Sequence, residues 1–177
     1  VASANMTPPA KIAILFVCMG NICRSPTAEG VLRQRAQRHA LANQLHIDSA
    51  GTDGWHAGEA PDARSQQHAR QRGYDLSTQR ARQVAARDFA DFDHILAMDH
   101  DNLARLRAQC PPQHRHKLAL FMQYAPHSGS EVVPDPYYGG TQGFEQVLDY
   151  CEQASDGLLA ALLQPETTHQ TPATGPS

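Results

Sequence analysis

Cys18 and Arg24 bracket a short run, Cys18-Met19-Gly20-Asn21-Ile22-Cys23-Arg24-Ser25-Pro26, whose residue types suit chemistry on a phosphoryl group. Gly20 and Asn21 tolerate positive φ, which lets successive backbone N–H groups turn inward into an anion-binding nest. Ser25 followed by Pro26 reads as a cap and first-turn pair, so a helix is expected to begin there and point its positive end at the same spot. Arg24 adds a planar fork of donors matched to two phosphate oxygens. Cys18 is expected at the floor of this cradle. A helix N-terminus and an arginine favour the thiolate, which is the nucleophilic form. The same donors would stabilise the equatorial oxygens of a phosphoryl transition state. The run therefore predicts attack by sulfur on phosphorus and a cysteinyl-phosphate intermediate. A Cys-x5-Arg spacing alone is a weak signal. Here it follows a buried strand, contains Gly-Asn and opens a helix. A merely structural cysteine with a capping serine leaves the arginine unexplained.

A thiolate nucleophile needs an acid for the leaving oxygen. Pro134-Asp135-Pro136 offers a carboxyl on a stiff loop, although on residue type alone Asp91, Asp93 and Asp99 compete with it. Tyr137 and Tyr138 follow on that loop, and Trp55 lies in a Gly-rich stretch. Rings on loops are expected to form an apolar slot for an aryl group above the cradle.

Strand and helix signals alternate around these loops. Residues 12–17 are a continuous apolar run, the pattern of a strand buried on both faces. Residues 45–50, 94–98 and 118–121 read as three more strands. Ala28, Val31, Leu32 and Ala36 keep helical spacing, and a second helix spans about 62–72 before Gly73. Asp99 begins a helix carrying Leu103 and Leu106 that ends before Pro111-Pro112. Phe144, Val147, Leu148, Cys151, Leu158, Leu159 and Leu162 place one stripe on a long final helix, read as core packing. Four strands separated by helices predict an α/β, three-layer domain with a four-stranded parallel sheet and the phosphate-binding loop after the first strand. Open sheets of this kind bind ligands beyond the carboxyl ends of their strands.

The composition agrees with a single domain over residues 11–163. The chain has 177 residues, 41% hydrophobic and 19% charged, with a formal net charge of −3. That balance gives no basic nucleic-acid footprint, and no apolar run is long enough for a bilayer. Four cysteines are too few for a disulfide scaffold and point to a reducing, cytoplasmic setting. Residues 1–10 lack the basic flank and apolar stretch of a secretory signal, and 164–177 are polar and Pro-containing. Both segments are expected to be disordered. Ten histidines show no metal-ligand spacing, so neither a metal nor a cofactor is expected. Arg80, Arg82 and Arg87 read as a solvated basic cluster that would favour acidic peptides.

The phosphate-loop run resembles the low-molecular-weight protein tyrosine phosphatases almost residue for residue. The likeness continues through Asp48-Ser49-Ala50-Gly51-Thr52, Ala81-Arg82-Gln83, Met98-Asp99 and Asp135-Pro136-Tyr137-Tyr138-Gly139-Gly140. It implies metal-independent hydrolysis of phosphotyrosine in protein substrates by a monomer or weak dimer. It also implies Asp135 as general acid and later base, and pocket walls from Trp55 and Tyr137. Ile22 stands where relatives resembling protein-arginine phosphatases carry a small polar Thr, and Ile suits an aromatic phosphomonoester better than Thr. Ser25 and Ser49 are implied in a network around Asn21, with Ser25 also donating to Cys18. Gln79 departs from the family, where many members have a histidine bracing the loop asparagine. Gln79 is expected to hydrogen-bond Asn21 without carrying charge. Cys23 is implied as a redox partner of Cys18, with loop packing as the equal alternative. Cys110 and Cys151 read as ordinary residues. Two other activities would use a similar loop. A thiol-coupled arsenate reductase needs resolving cysteines on a mobile late segment, and an anion-binding or redox-sensing module does not need Asp135.

Overall fold

The structure is a computed structural model that describes residues 11–137 and 139–163. Tyr138 and the two terminal segments expected to be disordered lie outside the described residues. The chain runs β1 (Ile12–Cys18), α1 (Arg24–Arg38), β2 (Leu45–Gly51), α2 (Ala63–Gln71), α3 (Asp88–Asp91), β3 (His94–Ala97), α4 (His100–Gln109), β4 (Leu118–Leu120) and α5 (Thr141–Leu163). All strand pairings are parallel, in the order β2-β1-β3-β4. This is the expected three-layer α/β domain.

β1 explains the three layers. Alternate side chains of a strand point to opposite faces. Ile14, Phe16 and Cys18 enter one core cluster with residues of α1 and α5, whereas Ala13, Leu15 and Val17 enter a second with residues of α3 and α4. Phe16 is fully buried and meets Phe121 edge-on, with centroids 4.8 Å apart. The α5 stripe packs inward as expected, and Gly157 permits the closest approach. A Cβ there would lie 1.9 Å from the carbonyl oxygen of Tyr124.

The register brings the functional loops together. Cys18 pairs with Gly51 and Val17 with Ala97, so β1, β2 and β3 end at one edge of the sheet. The chain leaves β1 toward β2 on one side while β3 lies on the other. Their carboxyl ends therefore form the topological switch point where such sheets bind ligands.

Several local expectations change. α3 was not legible in the sequence, because it is a single turn between loop segments. The start of α1 also differs from the Ser-Pro reading. The helix begins at Arg24 with Cys23 at the cap position and no capping side chain. Ser25 is thus inside the first turn, and its hydroxyl turns to Cys18 instead of the helix end. Arg82 does not belong to a solvated cluster, since its guanidinium lies between Asp48 and Asp88.

Candidate active site

The loop between β1 and α1 curls because its carbonyls are held from outside. Thr52 N–H donates to Cys18 O at 2.9 Å, Asp53 N–H to Met19 O at 3.0 Å and Asp62 N–H to Ile22 O at 2.8 Å. C=O and N–H point oppositely across a peptide, so carbonyls fixed outward turn the intervening N–H groups to the concave side. Asn21 makes the turn with φ of 56°. Gly20 does not share the positive φ expected of it. Space there is limited instead, since a Cβ would lie 3.1 Å from Cδ2 of the His56 side chain, which would have to shift slightly.

Cys18 is buried at the loop floor. Its Sγ lies 3.0 Å from Ser25 Oγ and accepts from Asn21 N–H at 3.3 Å. The direction of the Ser25 contact follows from its neighbours. Asn21 Nδ2 donates to Ser25 Oγ at 2.8 Å and to Ser49 Oγ at 3.0 Å. Ser25, having accepted, has its own hydrogen for the sulfur. Ser49 Oγ in turn donates to the buried Glu29 carboxylate at 2.8 Å. Burial holds the Glu29 carboxyl above the ordinary glutamate range.

Gln79 does not brace Asn21. Its Nε2 donates to Pro26 O at 3.0 Å, while Asn21 Oδ1 accepts from the main-chain N–H of Arg82 at 3.0 Å. The brace thus comes from a main-chain N–H, which residue type by itself does not reveal.

Arg24 is buried, and its Nη1 donates to Asp99 Oδ2 at 2.7 Å and to Val133 O at 3.0 Å. Burial alone opposes its charge, but the facing Cys18 and the Asp99 carboxylate outweigh that and push its pKa up. Asp99, one of the competing carboxylates, also caps α4 by accepting from Asn102 N–H at 2.8 Å. Its place after β3 and ahead of a helix was a readable capping signal; its hold on Arg24 was not. Asp93 accepts from Ala13 N–H at 2.8 Å and is likewise occupied.

Asp135 is the carboxylate that lines the cleft. Its Oδ1 accepts from Tyr137 N–H at 3.0 Å, and its Oδ2 is 3.8 Å from Arg24 Nη2. Val133 ties the loop back to the sheet, its N–H donating to Met98 O at 2.7 Å. The cleft measures about 160 Å³, and Met19, Gly20, Ile22, Cys23 and Arg24 border it with Cys18. Trp55 and Tyr137 stand at its mouth, with Trp55 80% exposed, so the aromatic wall is a rim. Arg64 of α2 stacks 5.4 Å from the Tyr137 ring centroid. His56 is a lining residue the sequence reading passed over, though a titratable side chain next to Trp55 on a Gly-rich loop was a usable signal. Its Nδ1 pairs with Glu59 Oε2 at 2.7 Å.

Cys23 faces the same cleft, but burial pushes its thiol up to about 12. All four cysteines are free. Among the described residues, no group of three or more His, Cys, Asp or Glu side chains is placed to hold a metal ion. No helix of the described residues is long and apolar enough to cross a membrane.

Comparison with known proteins agrees with this geometry. Residues 13–168 match the family model described as low molecular weight phosphotyrosine protein phosphatase. The chain is 46% identical over 150 residues to a Synechocystis protein named as a candidate low molecular weight protein-tyrosine-phosphatase, covering 84% of this chain and 95% of that one. It is 44% identical over 152 residues to a low molecular weight protein-tyrosine-phosphatase of Streptomyces coelicolor, covering 84% and 92%. A crystal structure of a protein tyrosine phosphatase from Entamoeba histolytica, with Hepes in its active site, superposes with a TM-score of 0.84 at 41% identity, covering 86% and 97%. A Cys-x5-Arg loop at the switch point of a β2-β1-β3-β4 sheet, with relatives this close over most of the chain, places this protein in the low molecular weight phosphotyrosine protein phosphatase family.

Proposed function

We propose that the chain hydrolyses phosphotyrosine in protein substrates through a cysteinyl-phosphate intermediate, without a metal. The observation that carries this reading is the environment of Cys18 Sγ. It meets Ser25 Oγ at 3.0 Å and Asn21 N–H at 3.3 Å, in a cleft shared with Arg24 and Asp135.

The phosphate group sits against the loop amides and the Arg24 fork, which is fixed on its Nη1 side by Asp99 and Val133. Preorganised donors of this kind stabilise the charge that develops on the equatorial oxygens. Cys18 as thiolate attacks phosphorus while the bond from phosphorus to the tyrosine oxygen breaks. Asp135 gives its proton to that departing oxygen. The oxygen that carries the proton is Oδ2, because Oδ1 is taken by Tyr137 N–H. Water then attacks the cysteinyl phosphate, Asp135 takes its proton, and the sulfur–phosphorus bond breaks to release inorganic phosphate and regenerate Cys18. Ser25 donates to the sulfur as it leaves.

Ile22 and the rim rings Trp55 and Tyr137 give the cleft an apolar mouth, which supports an aryl ester over phosphoarginine. Tyr138, expected on the same wall, lies outside the described residues. The proposed partner is a phosphotyrosine-bearing protein, and neither a nucleic acid nor a membrane is part of the reading. The fold context of the other cysteines disfavours a thiol relay. Cys110 and Cys151 are buried, and burial raises both thiols. The deciding test compares wild type with Cys18→Ser on an aryl phosphate, with EDTA and no added metal. Turnover is expected only in the wild type; activity retained by the serine variant would sink the mechanism.

A further inference from the structure

Residues 81–84 form a strap whose main-chain groups bond to several of the segments that build the cleft. Gly58 N–H donates to Ala81 O and Ala81 N–H to Glu59 O, both at 2.8 Å, which fixes the segment carrying Trp55 and His56. Gly51 N–H donates to Arg82 O and Val84 N–H to Gly51 O, again at 2.8 Å, which fixes the end of β2. Arg82 N–H then donates to Asn21 Oδ1 at 3.0 Å.

The strap has one strong anchor. The Arg82 guanidinium meets Asp48 Oδ2 through Nε at 3.2 Å and Nη2 at 3.0 Å. Through Nη1 at 2.9 Å and Nη2 at 3.2 Å it also meets the two oxygens of Asp88. Asp48 belongs to β2 and Asp88 to α3, so one planar fork joins two elements that flank the strap. Asp88 is buried and also accepts from Ala85 N–H at 2.7 Å, which locks the turn just beyond. An ammonium group lacks the geometry to hold both carboxylates in this way.

The consequence reaches the nucleophile through donor and acceptor direction. An N–H facing Asn21 requires the amide oxygen on that side. Nδ2 must then face Ser25 and Ser49, and both of its hydrogens are used. Ser25 can only accept from Asn21, so its hydrogen goes to Cys18 Sγ. We infer that Arg82 is a positioning residue for the nucleophile: clamped between Asp48 and Asp88, it holds its own main-chain N–H against Asn21 and so aims Ser25 at Cys18. The inference rests on the reading of Cys18 as nucleophile and adds a remote support to it.

The test measures aryl phosphate turnover, thermal unfolding and the pH profile of inactivation by iodoacetate in Arg82→Lys, Arg82→Ala, Asp48→Asn and Arg80→Ala. The titratable groups that interact with Cys18 are Arg24, Cys23 and Cys151, with Asp135 lining the same cleft, and none of them is altered. Folded Arg82→Lys is expected to lose about 10-fold in kcat, the scale seen for coupled residues outside a site. Its inactivation profile moves to higher pH, because the thiolate has lost an aimed donor. Asp48→Asn keeps one anchor and moves both readouts the same way by less, whereas Arg80→Ala matches wild type. If Arg82→Ala does not fold, the other two variants decide. Wild-type kcat and profile in folded Arg82→Lys and Asp48→Asn overturn the inference. So does a kcat loss with an unmoved profile, which marks general loosening. Wild-type turnover by Cys18→Ser overturns the nucleophile reading instead, and iodoacetate labelling by peptide mapping separates the two failures.

Discussion

Replacing Asp99 probes whether Arg24 is aimed by its carboxylate or by the loop alone. The ion pair is short, 2.7 Å, with Arg24 4% and Asp99 27% exposed in their side chains. Removing one partner of a fully buried pair costs about 3–5 kcal/mol, because a charge is left uncompensated. The partial exposure of Asp99 lowers this to about 2 kcal/mol for Asp99→Asn, which keeps an oxygen acceptor and an N-cap side chain. Asp99→Ala also loses the cap on Asn102 N–H and is expected to cost about 1 kcal/mol more. At about 2–4 °C per kcal/mol for a domain of this size, Asn lowers Tm by about 6 °C and Ala by about 9 °C. Catalysis should suffer more than stability. With Nη1 held by Val133 O alone, the fork rotates, and misplacement by about 1 Å costs up to about 100-fold in rate. Urea denaturation and aryl phosphate kinetics on the same preparations read both effects. If Asp99→Asn keeps wild-type stability and more than half of kcat/KM, Asp99 does not aim Arg24. Equal stabilities for Asn and Ala variants would show that the cap contributes nothing.

Other expectations follow from the same geometry. Asp135→Ala should slow esters of poor leaving groups far more than those of good ones; an equal fall for both means that Asp135 is not the acid. Cys23, with its thiol pushed up to about 12, should stay unlabelled by iodoacetate near neutral pH while Cys18 reacts, which peptide mapping would reveal. The Glu145 carboxyl is held below the ordinary glutamate range by hydrogen bonds from His68 and Arg72. Its contribution to stability is present above that range and lost as pH falls through its lower folded value, so Glu145→Gln should flatten the acid limb of a stability profile. A Cβ on Gly51 would lie 2.7 Å from Met19 O, so Gly51→Ala should displace the phosphate loop and cut turnover. By contrast, Gly157→Ala should lower stability by about 2 kcal/mol through overpacking on Tyr124 while leaving kcat nearly intact below the melting range.

What could be read from the chain alone was local. A buried strand, a Gly-Asn turn, Cys18, Arg24 and a following helix are contiguous, and their chemistry depends on neighbours within a few residues. The strand and helix periods likewise state which faces are apolar, which was enough for a parallel three-layer domain and for a site at its strand ends. The two local misreadings share one cause. Ser-Pro favours helix starts and suggests Ser25 as a cap, yet the Ser25 hydroxyl lies 3.0 Å from the Cys18 sulfur, the contact that the family resemblance implies, and caps nothing. Gln79 is expected to replace a bracing histidine, but the brace is the main-chain N–H of Arg82, a donor that residue type does not advertise.

Aim was decided only in three dimensions. Arg24 is oriented by Asp99 and Val133, which lie 75 and 109 residues away. Asn21 is oriented by Arg82, 61 residues away, and His56 lines the cleft once the segment that carries it and Trp55 is folded over the phosphate loop. Residue types determine which groups can donate, accept or attack. Which of them face one another depends on strand order and register, and so on the packing of the whole chain.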